Sequence, residues 1–450
     1  MTLIDELKDF IDIDTLKYNL SLRAENKPAS SFEWKNPEKA DGIPIFARSK
    51  VSMSDPNIRA TFNNFAVIMN KKAGYLAGKI ERKFADDMPD SFKKILDDKY
   101  KEFDRLNNIE SLYTDMMSSC AGWGNTYTLC YLDKPKTDVI TDEHVNYPLR
   151  IKEYQSWQAK VKYDDNGEPV EGIIYYLDDT AENRLHIFEY DKLYVREWLG
   201  SKSGASYQLI SENIHGFTEI PLIEWKNNKL CRGNAQNAVT LMDAYDRLMS
   251  DNVTESATFR QAYLLLKGLG RLGPEEKADM QKTGVITTMS DTGEARFITK
   301  DINPEFVKFI TEETWRSIWI VATSVDPKAI SSLTNATAFQ IMQMFSLMDD
   351  DCNFTEQSWM RSFEYLDRVL KSYWTGLDTN SIPDYSTYDV DYIFHRNKPK
   401  DVMTWLQNIR TAGGTLPNAE ILKQSGYADK DAEDLAKRAA DEGYDTIPNL

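Results

Sequence analysis

The sequence contains few of the residues that build metal or redox centres. Its 450 residues include four cysteines and four histidines. The cysteines are far apart and form no C-x-x-C pair, which argues against a structural zinc site and for free thiols in a reducing cytoplasm. They are Cys120, Cys130, Cys231 and Cys352. The histidines are isolated, and no catalytic constellation is evident, so we expect no cofactor, no metal and no enzymatic activity.

Long apolar runs are missing as well. No stretch approaches about eighteen uncharged apolar residues, so the sequence predicts no transmembrane helix. The first 20 residues carry acids throughout and lack the basic region of a signal peptide. A hydrophobic content of 41% and an aromatic content of 12% nevertheless predict a folded chain of two or three domains.

Basic residues are outnumbered, which limits the contacts that the chain can make with nucleic acid. It has 71 acidic residues against 54 Lys and Arg, for a formal net charge of −17. Such a surface repels phosphate backbones and disfavours ordinary nucleic-acid binding. It does not exclude a protein that lets DNA slide past without gripping it.

Apolar periodicity divides the chain into a helical start, a β-rich middle and a helical second half. The predicted helices are 1–20, 58–79, 91–120, 234–259, 303–324 and 337–373, with two or three short helices after 400. Residues 126–225 predict a sheet of short alternating strands with a hairpin turn at Asp165-Asn166-Gly167. The remaining predictions are a polar arm at 24–57, a small α/β lobe at 260–301, a polar break at 325–335 and a strand at 388–395.

Two of these helices have unusual surfaces. The middle of 234–259, at positions 250–256, has no apolar face, which is typical of a helix that packs among neighbouring subunits or borders a water-filled space. Helix 337–373 is the strongest periodic signal and would be about 55 Å long. Its apolar stripe predicts a packing surface. The stripe is Ile341, Phe345, Met348, Cys352, Trp359, Phe363, Leu366, Leu370 and Tyr373.

Gly268, Gly270 and Gly273 spell G-x-G-x-x-G after an apolar run, the pattern of a dinucleotide site. Two features argue against that interpretation. Glu275 and Glu276 would put negative charge where a pyrophosphate sits, and no later strand–helix–strand repeat supplies further parallel strands. We expect the glycines to turn the chain within the small lobe. A nucleotide-dependent oxidoreductase and a structural scaffold without a channel stay open as alternatives.

Asp349-Asp350-Asp351 is a second pattern with a possible ligand, in this case a metal ion. Consecutive carboxylates on a helix point in different directions and cannot converge on one ion without partners. We therefore expect a solvated acidic face or a helix-to-helix contact between subunits.

Four groups of residues occur in an order and spacing that covers nearly the whole chain. They are Asn63-Asn64-Phe65 with the run 73–78; the run 220–225 with Asn227-Asn228; Met242-Asp243-Ala244-Tyr245 with Ser250-Asp251-Asn252 and the run 262–268; and Phe394, Arg396-Asn397, Pro399 and Ala412-Gly413-Gly414. Together they resemble the portal protein of tailed double-stranded DNA phages, in the branch of long-tailed phages of Gram-positive hosts. Gln261 departs from the family, which often has an acid there.

The resemblance implies an α+β portal fold and a ring, usually of twelve subunits, around a channel for double-stranded DNA. DNA would be packaged and ejected through this ring in the virion, at one capsid vertex, after assembly in the host cytoplasm. The implied divisions are a wing with an α/β region at 1–233, stem helices at 234–259 and 302–324, a small α/β clip at 260–301, a tunnel loop at 325–336, a long wing helix with a returning strand at 337–400, and a short helical crown at 401–450.

The resemblance also implies contact residues and partners. The tunnel-loop candidates are Asp326, Lys328, Ser331, Ser332, Thr334 and Asn335. Lys328 is the single base of that break; we expect it to touch phosphate, with a solvated lysine as the alternative. The clip candidates are Arg271, Glu275, Glu276, Lys277 and Lys282; they would dock the terminase large subunit and then the head-completion adaptor, or form a solvated face. Major capsid and scaffolding proteins are further implied partners.

Overall fold

The fold mixes helices and antiparallel sheets, as the sequence predicts. The computed structural model describes residues 60, 62–133, 147–177, 184–200, 206–258, 263–267, 273, 294–298, 303–331, 340, 343–377 and 385–397. Its helices are α1 Asn64–Leu76, α2 Asp90–Asn107, α3 Ile109–Trp123, α4 Asn234–Asn237, α5 Val239–Thr258, α6 Pro304–Val321, α7 Pro327–Ser331 and α8 Ser346–Leu377, with a 3-10 turn at Tyr385–Thr387.

The strands fall into several small antiparallel sheets. They are β1 Ile80–Phe84, β2 Asn125–Leu132, β3 Leu149–Gln155, β4 Ala159–Tyr163, β5 Pro169–Leu177, β6 Leu185–Tyr190, β7 Tyr194–Gly200, β8 Tyr207–Ile214, β9 Leu222–Lys226, β10 Tyr263–Lys267, β11 Glu294–Ile298 and β12 Val390–Phe394. The sheet orders are β3-β2-β9, β4-β5-β6-β7-β8, β1-β12 and β10-β11.

The predicted β-rich middle is confirmed, including its hairpin turn. Asp164 accepts hydrogen bonds from the backbone N–H groups of Asn166 and Glu168, and Gly167 has a φ of 84°, where a glycine is favoured. β8 and β9 both lie in or at the end of the predicted sheet region. β9 alternates in part, since Ile223 and Trp225 are buried and Glu224 and Lys226 are half-buried, whereas β8 is mostly exposed on both faces and lacks the alternation that marks a half-buried strand.

The single helix predicted at 91–120 is wrong, because the chain forms α2 and α3 there. Asn108 lies between them with a φ of 48°, in the left-handed region that interrupts a right-handed helix. Within α2, Leu96 is fully buried, whereas Ile95 is 38% exposed.

The core is organised around α8, which spans about 48 Å. The predicted apolar stripe is confirmed as a packing surface where the structure describes it, since Met348, Trp359 and Phe363 are buried. The Trp359 and Trp225 rings have centroids 4.9 Å apart, and Phe363 stacks on Tyr392 at 3.9 Å. α8 thus packs against β9 and against β12.

The divisions that the resemblance implies stay predictions. Residues 1–59 and 398–450 contain the predicted first helix, the polar arm and the short helices after 400, and they lie outside the described residues. Most of the small lobe at 260–301 also lies outside them. Its described parts include β10 and β11, which pair antiparallel with Tyr263 opposite Ile298.

Candidate functional site

Two helices, α5 and α6, pack against each other and carry the segment that was predicted as a tunnel loop. The ring of Tyr245 on α5 lies 5.3 Å from that of Trp315 on α6. Met242, Ile318 and the Tyr245 ring are buried in the same apolar cluster. The helix prediction for 234–259 is correct in type, although a short α4 precedes α5.

On the opposite face of α6, the first turns carry two phenylalanines that nothing in the described part of the chain covers. Phe306 is 59% exposed and Phe309 is 64% exposed, and Ile320 near the end of the helix is also exposed. Phe306 and Phe309 are three residues apart and therefore share one face of the helix. Glu313 and Arg316 follow them on the same side of the helix, so the exposed apolar surface is confined to its first turns. An exposed pair of large apolar side chains is a candidate contact with another molecule.

The polar centre of α5 is less solvent-exposed than its sequence indicates. Ser250 is fully buried, and its hydroxyl accepts a hydrogen bond from the backbone N–H of Ala60 at 2.9 Å. Asp251 and Ser256 are exposed, as expected for a helix with a polar face. Ala60 and Phe62 therefore cover one side of a helix that was expected to face other subunits or water.

The predicted polar break at 325–335 contains a short helix, α7. Asp326 accepts the backbone N–H of Lys328 at 2.8 Å, and Pro327 follows it, which is a typical start of a helix. The Asp326 carboxylate also accepts the indole N–H of Trp315 at 2.9 Å. The start of the predicted polar break is thus attached to α6 by the hydrogen bond between Trp315 and Asp326.

Lys328, the predicted phosphate contact, lies against aromatic rings of the helix pair. Its Nζ is 3.7 Å from the centroid of the Trp315 ring and 5.9 Å from that of Tyr245. A cation over an indole face is attracted to the ring. Lys328 is nevertheless exposed to solvent, so the contact with Trp315 restrains its side chain without burying it.

The other predicted contact residues are described in part or not at all. Ser331 ends α7, and nothing is described of its side chain. The remaining tunnel-loop candidates Ser332, Thr334 and Asn335, and the clip candidates Arg271, Glu275, Glu276, Lys277 and Lys282, lie outside the described residues.

A buried polar junction, which the sequence analysis did not detect, joins the helix pair to α1 and α8. The ammonium group of Lys72 on α1 donates to Asp351 Oδ2 at 2.5 Å and to Thr355 Oγ1 at 2.8 Å, both on α8. It also donates to Asn227 and Asn234. The Asn234 amide lies within hydrogen-bond distance of Thr323, directly after α6. One buried cation therefore links four parts of the chain.

The aspartate run at 349–351 belongs to this junction, which corrects the expected solvated face or subunit contact. Asp349 accepts the Tyr75 hydroxyl at 2.7 Å and Arg396 Nη1 at 2.8 Å. Arg396 also donates to Glu356 and Asn353. Asp350 is exposed. Two of the three carboxylates thus have cationic partners in their own chain. One feature of the sequence indicates this junction, because Thr355 places a polar side chain within the apolar stripe of α8. Its hydroxyl accepts a hydrogen bond from Lys72.

The dinucleotide interpretation does not fit the pairing around the glycine pattern. The strand that precedes Gly268 is β10, and it pairs antiparallel with β11. A dinucleotide unit needs that strand in a parallel sheet with a helical crossover. Among the described residues, no three His, Cys, Asp or Glu side chains form a group able to hold a metal ion.

The cysteines are free thiols, as predicted, and three of them are buried. Burial raises the pKa of Cys352 to about 12, which disfavours the reactive thiolate. As for membranes, none of the helices that the structure describes combines the length and the apolarity that a crossing requires.

Comparison with known families identifies the chain. The family model described as "Phage portal protein, SPP1 Gp6-like" matches residues 41–446, which is most of the sequence. The chain therefore belongs to the SPP1 Gp6-like family of phage portal proteins. The resemblance inferred from the four groups of residues is confirmed. No curated protein matches the chain.

Two solved structures to which the chain is similar come from gene transfer agent particles. One chain, from the "Neck of empty GTA particle computed with C6 symmetry", is 13% identical, with 80% of this chain and 88% of that chain covered and a TM-score of 0.46. Another, from the "Virion of native gene transfer agent (GTA) particle", is 14% identical with the same shares covered and a TM-score of 0.40.

Proposed function

We propose that this chain is the subunit of a ring-shaped channel at one capsid vertex, through which double-stranded DNA is packaged and later ejected. The observation that carries the proposal is the family match over residues 41–446. By the resemblance, the ring contains about twelve copies and resides in the virion. The subunit is structural, and the ATP hydrolysis that drives packaging belongs to a partner.

The apolar face of α6 supports a ring. Phe306 and Phe309 are more than half exposed in the single chain, on a helix that packs against α5 through Trp315 and Ile318 on its other side. A neighbouring copy that covers this face with a different surface of its own makes a heterologous contact, and such contacts close into rings. The proposal assigns this face to the interface between adjacent subunits.

The charge balance supports passage of DNA without tight binding. With a net charge of −17, most of the surface repels phosphates, and repulsion from all sides of a ring is balanced on its axis. Lys328 supplies a sparse positive charge in the segment assigned to the tunnel. Its exposed ammonium makes brief phosphate contacts while the Trp315 ring limits its motion.

The partners in this proposal are those that the resemblance implies. The terminase large subunit and later the head-completion adaptor dock on the lobe at 260–301, and the major capsid and scaffolding proteins contact the outer part of the ring. The antiparallel β10-β11 pair is consistent with a lobe that projects from α5 and α6, because it lies between them in the chain and brings its two ends together.

Mass photometry and negative-stain imaging of the purified chain test the proposal. We expect rings with an axial hole and a mass of about 600 kDa, since the chain is 51.8 kDa and about twelve copies close the ring. Closed or filamentous assemblies without a hole would instead favour the structural scaffold. A monomer that binds a dinucleotide would favour the oxidoreductase alternative.

A further inference from the structure

The chain at Ala60 and Phe62 is attached to α5 through three neighbouring residues. The N–H of Ala60 donates to Ser250 Oγ at 2.9 Å, and the N–H of Phe62 donates to Asp246 Oδ1 at 3.1 Å. The Phe62 ring meets Tyr245 edge-on, with centroids 5.3 Å apart. Asp246 and Ser250 are four residues apart and share one face of the helix.

Asp246 has an unusual environment for a carboxylate. It is 1% exposed, and its Oδ2 atom has no hydrogen-bond partner, so Phe62 supplies the one N–H that the side chain accepts. Burying an ionised carboxylate is costly unless it is paired and fully hydrogen-bonded. A protonated carboxyl in the same place carries no charge and avoids most of this cost.

The charged groups around Asp246 add to this preference. Asp243, one turn earlier on α5, places a second negative charge near it, and no cation among the described residues acts on it. The neighbouring Tyr245 is a titratable group whose own pKa is raised by burial and by Asp246. The helices α1 and α6 also pack against α5, but neither brings a charged group to bear on Asp246 in the described structure.

We propose that Asp246 is a proton-dependent latch, whose protonated carboxyl holds the chain at Ala60 and Phe62 on α5 and whose deprotonation favours release. Release exposes the carboxylate to water and removes the burial cost. The latch is independent of the ring proposed above, because all of its groups belong to one chain.

The direction of the pH dependence follows from the pKa of Asp246 in the two states. Burial, and then Asp243, raise this pKa from 3.8 to about 7 while the segment is attached, although the Phe62 N–H lowers it. A raised pKa favours the attached state at low pH, and this advantage is lost as pH rises towards about 7. Over that window the equilibrium constant for release grows by up to about tenfold per pH unit, and above it the constant is level.

The latch lies beside the segment assigned to the tunnel. Tyr245 contacts Phe62 on one side, its ring centroid is 5.3 Å from that of Trp315, and Lys328 Nζ is 5.9 Å from its ring. Release of Phe62 therefore exposes the ring of Tyr245. That ring also contacts Trp315, on which Lys328 packs.

Hydrogen exchange of the full chain tests the latch. Peptides containing the amides of Ala60 and Phe62 are followed by mass spectrometry from about pH 5 to about pH 8, with labelling times corrected for intrinsic exchange. We expect protection to fall by up to about tenfold per unit as far as about pH 7 and then to level off. In Asp246→Asn, which keeps an acceptor but cannot ionise, protection should stay near its low-pH value throughout.

Two further variants separate the latch from general loosening. Ser250→Ala removes an attachment without touching the carboxyl, so protection should drop at every pH while the pH dependence persists. Asp243→Asn should move the levelling-off to lower pH, because the charge that raises the pKa of Asp246 is gone. A flat wild-type profile, the same slope in Asp246→Asn as in wild type, or an unmoved curve in Asp243→Asn would overturn the proposal.

Discussion

Lys72 illustrates how much a single residue connects in this chain. Its side chain is 3% exposed, and its ammonium is balanced by Asp351 and by neutral oxygen acceptors from α8 and from residues 227–234. A buried ion pair contributes little relative to well-packed apolar residues, but removal of one partner leaves an uncompensated buried charge. The stability of the junction therefore depends on both partners being present.

We predict that Lys72→Met lowers the free energy of unfolding by up to about 3 kcal/mol, because the half-buried Asp351 then loses its cation. The double variant Lys72→Met with Asp351→Met should be less destabilised than the sum of the two single variants. Urea denaturation followed by tryptophan fluorescence measures these differences.

The control for this prediction is an exposed ion pair. Lys101 and Asp97 lie on the surface of α2 at 2.5 Å, and Lys101→Met should leave the unfolding midpoint unchanged within error. An equal effect at Lys72 and Lys101, or full additivity in the double variant, would show that the junction does not work as a buried pair.

At the scale of an element, the α2–α3 boundary depends on one backbone conformation. Asn108 adopts a φ of 48° on an exposed position, so its contribution comes mainly from the backbone. Asparagine tolerates the left-handed region better than other residues with a Cβ, and glycine tolerates it best.

Asn108→Ala should therefore destabilise the chain by about 1 kcal/mol, whereas Asn108→Gly should be close to neutral. Thermal unfolding monitored by circular dichroism compares the two variants. If alanine and glycine gave the same result, the boundary would not depend on the left-handed conformation.

The segment after α6 provides a second test at this scale. Asp326→Ala removes the acceptor of both the Trp315 indole and the Lys328 N–H, so α7 should open more often and trypsin should cleave after Lys328 several times faster. Asp326→Asn keeps an acceptor oxygen and serves as the control. Cleavage of Asp326→Ala at the wild-type rate would mean that the Asp326 side chain does not hold the segment in place.

The elements differ in how well their sequence specified them. The stripe of α8 and the alternating strands β4 and β6 were predictable, since period and burial agree. The split at Asn108, the strand β8 and the helix α7 were not. Each depends on one residue's conformation or on contacts distant in sequence, such as Trp315 with Asp326. The junction at Lys72 was hidden for the same reason, because its partners lie more than 150 positions away along the chain.

At the scale of the whole molecule, family membership and the exposed apolar face of α6 point to the same assembly. The ordered groups of residues in the sequence indicate the family. The structure adds that Phe306 and Phe309 of α6 are exposed and that no described part of the chain covers them. The sequence did not identify that face, because Phe306 and Phe309 resemble core residues of an amphipathic helix until α6 is seen to bury Ile318 and Trp319 instead.

We predict that Phe306→Ser combined with Phe309→Ser shifts the purified protein from rings to smaller species, since the interface loses large apolar contacts. The effect should be at least about tenfold in the concentration at which assembly is half complete. Ile214→Ser, at an exposed apolar position on β8, is the control and should assemble normally. Mass photometry across a dilution series gives both values. Normal assembly of the double variant would place the interface elsewhere.

The most direct test of the proposed channel is a cryo-EM reconstruction of the assembled protein. We predict a closed ring in which residues 325–331 lie nearest the axis, with Lys328 facing the opening and the Phe306 and Phe309 face covered by the next subunit. An assembly without an axial opening, or a ring in which residues 325–331 face outward, would contradict the account.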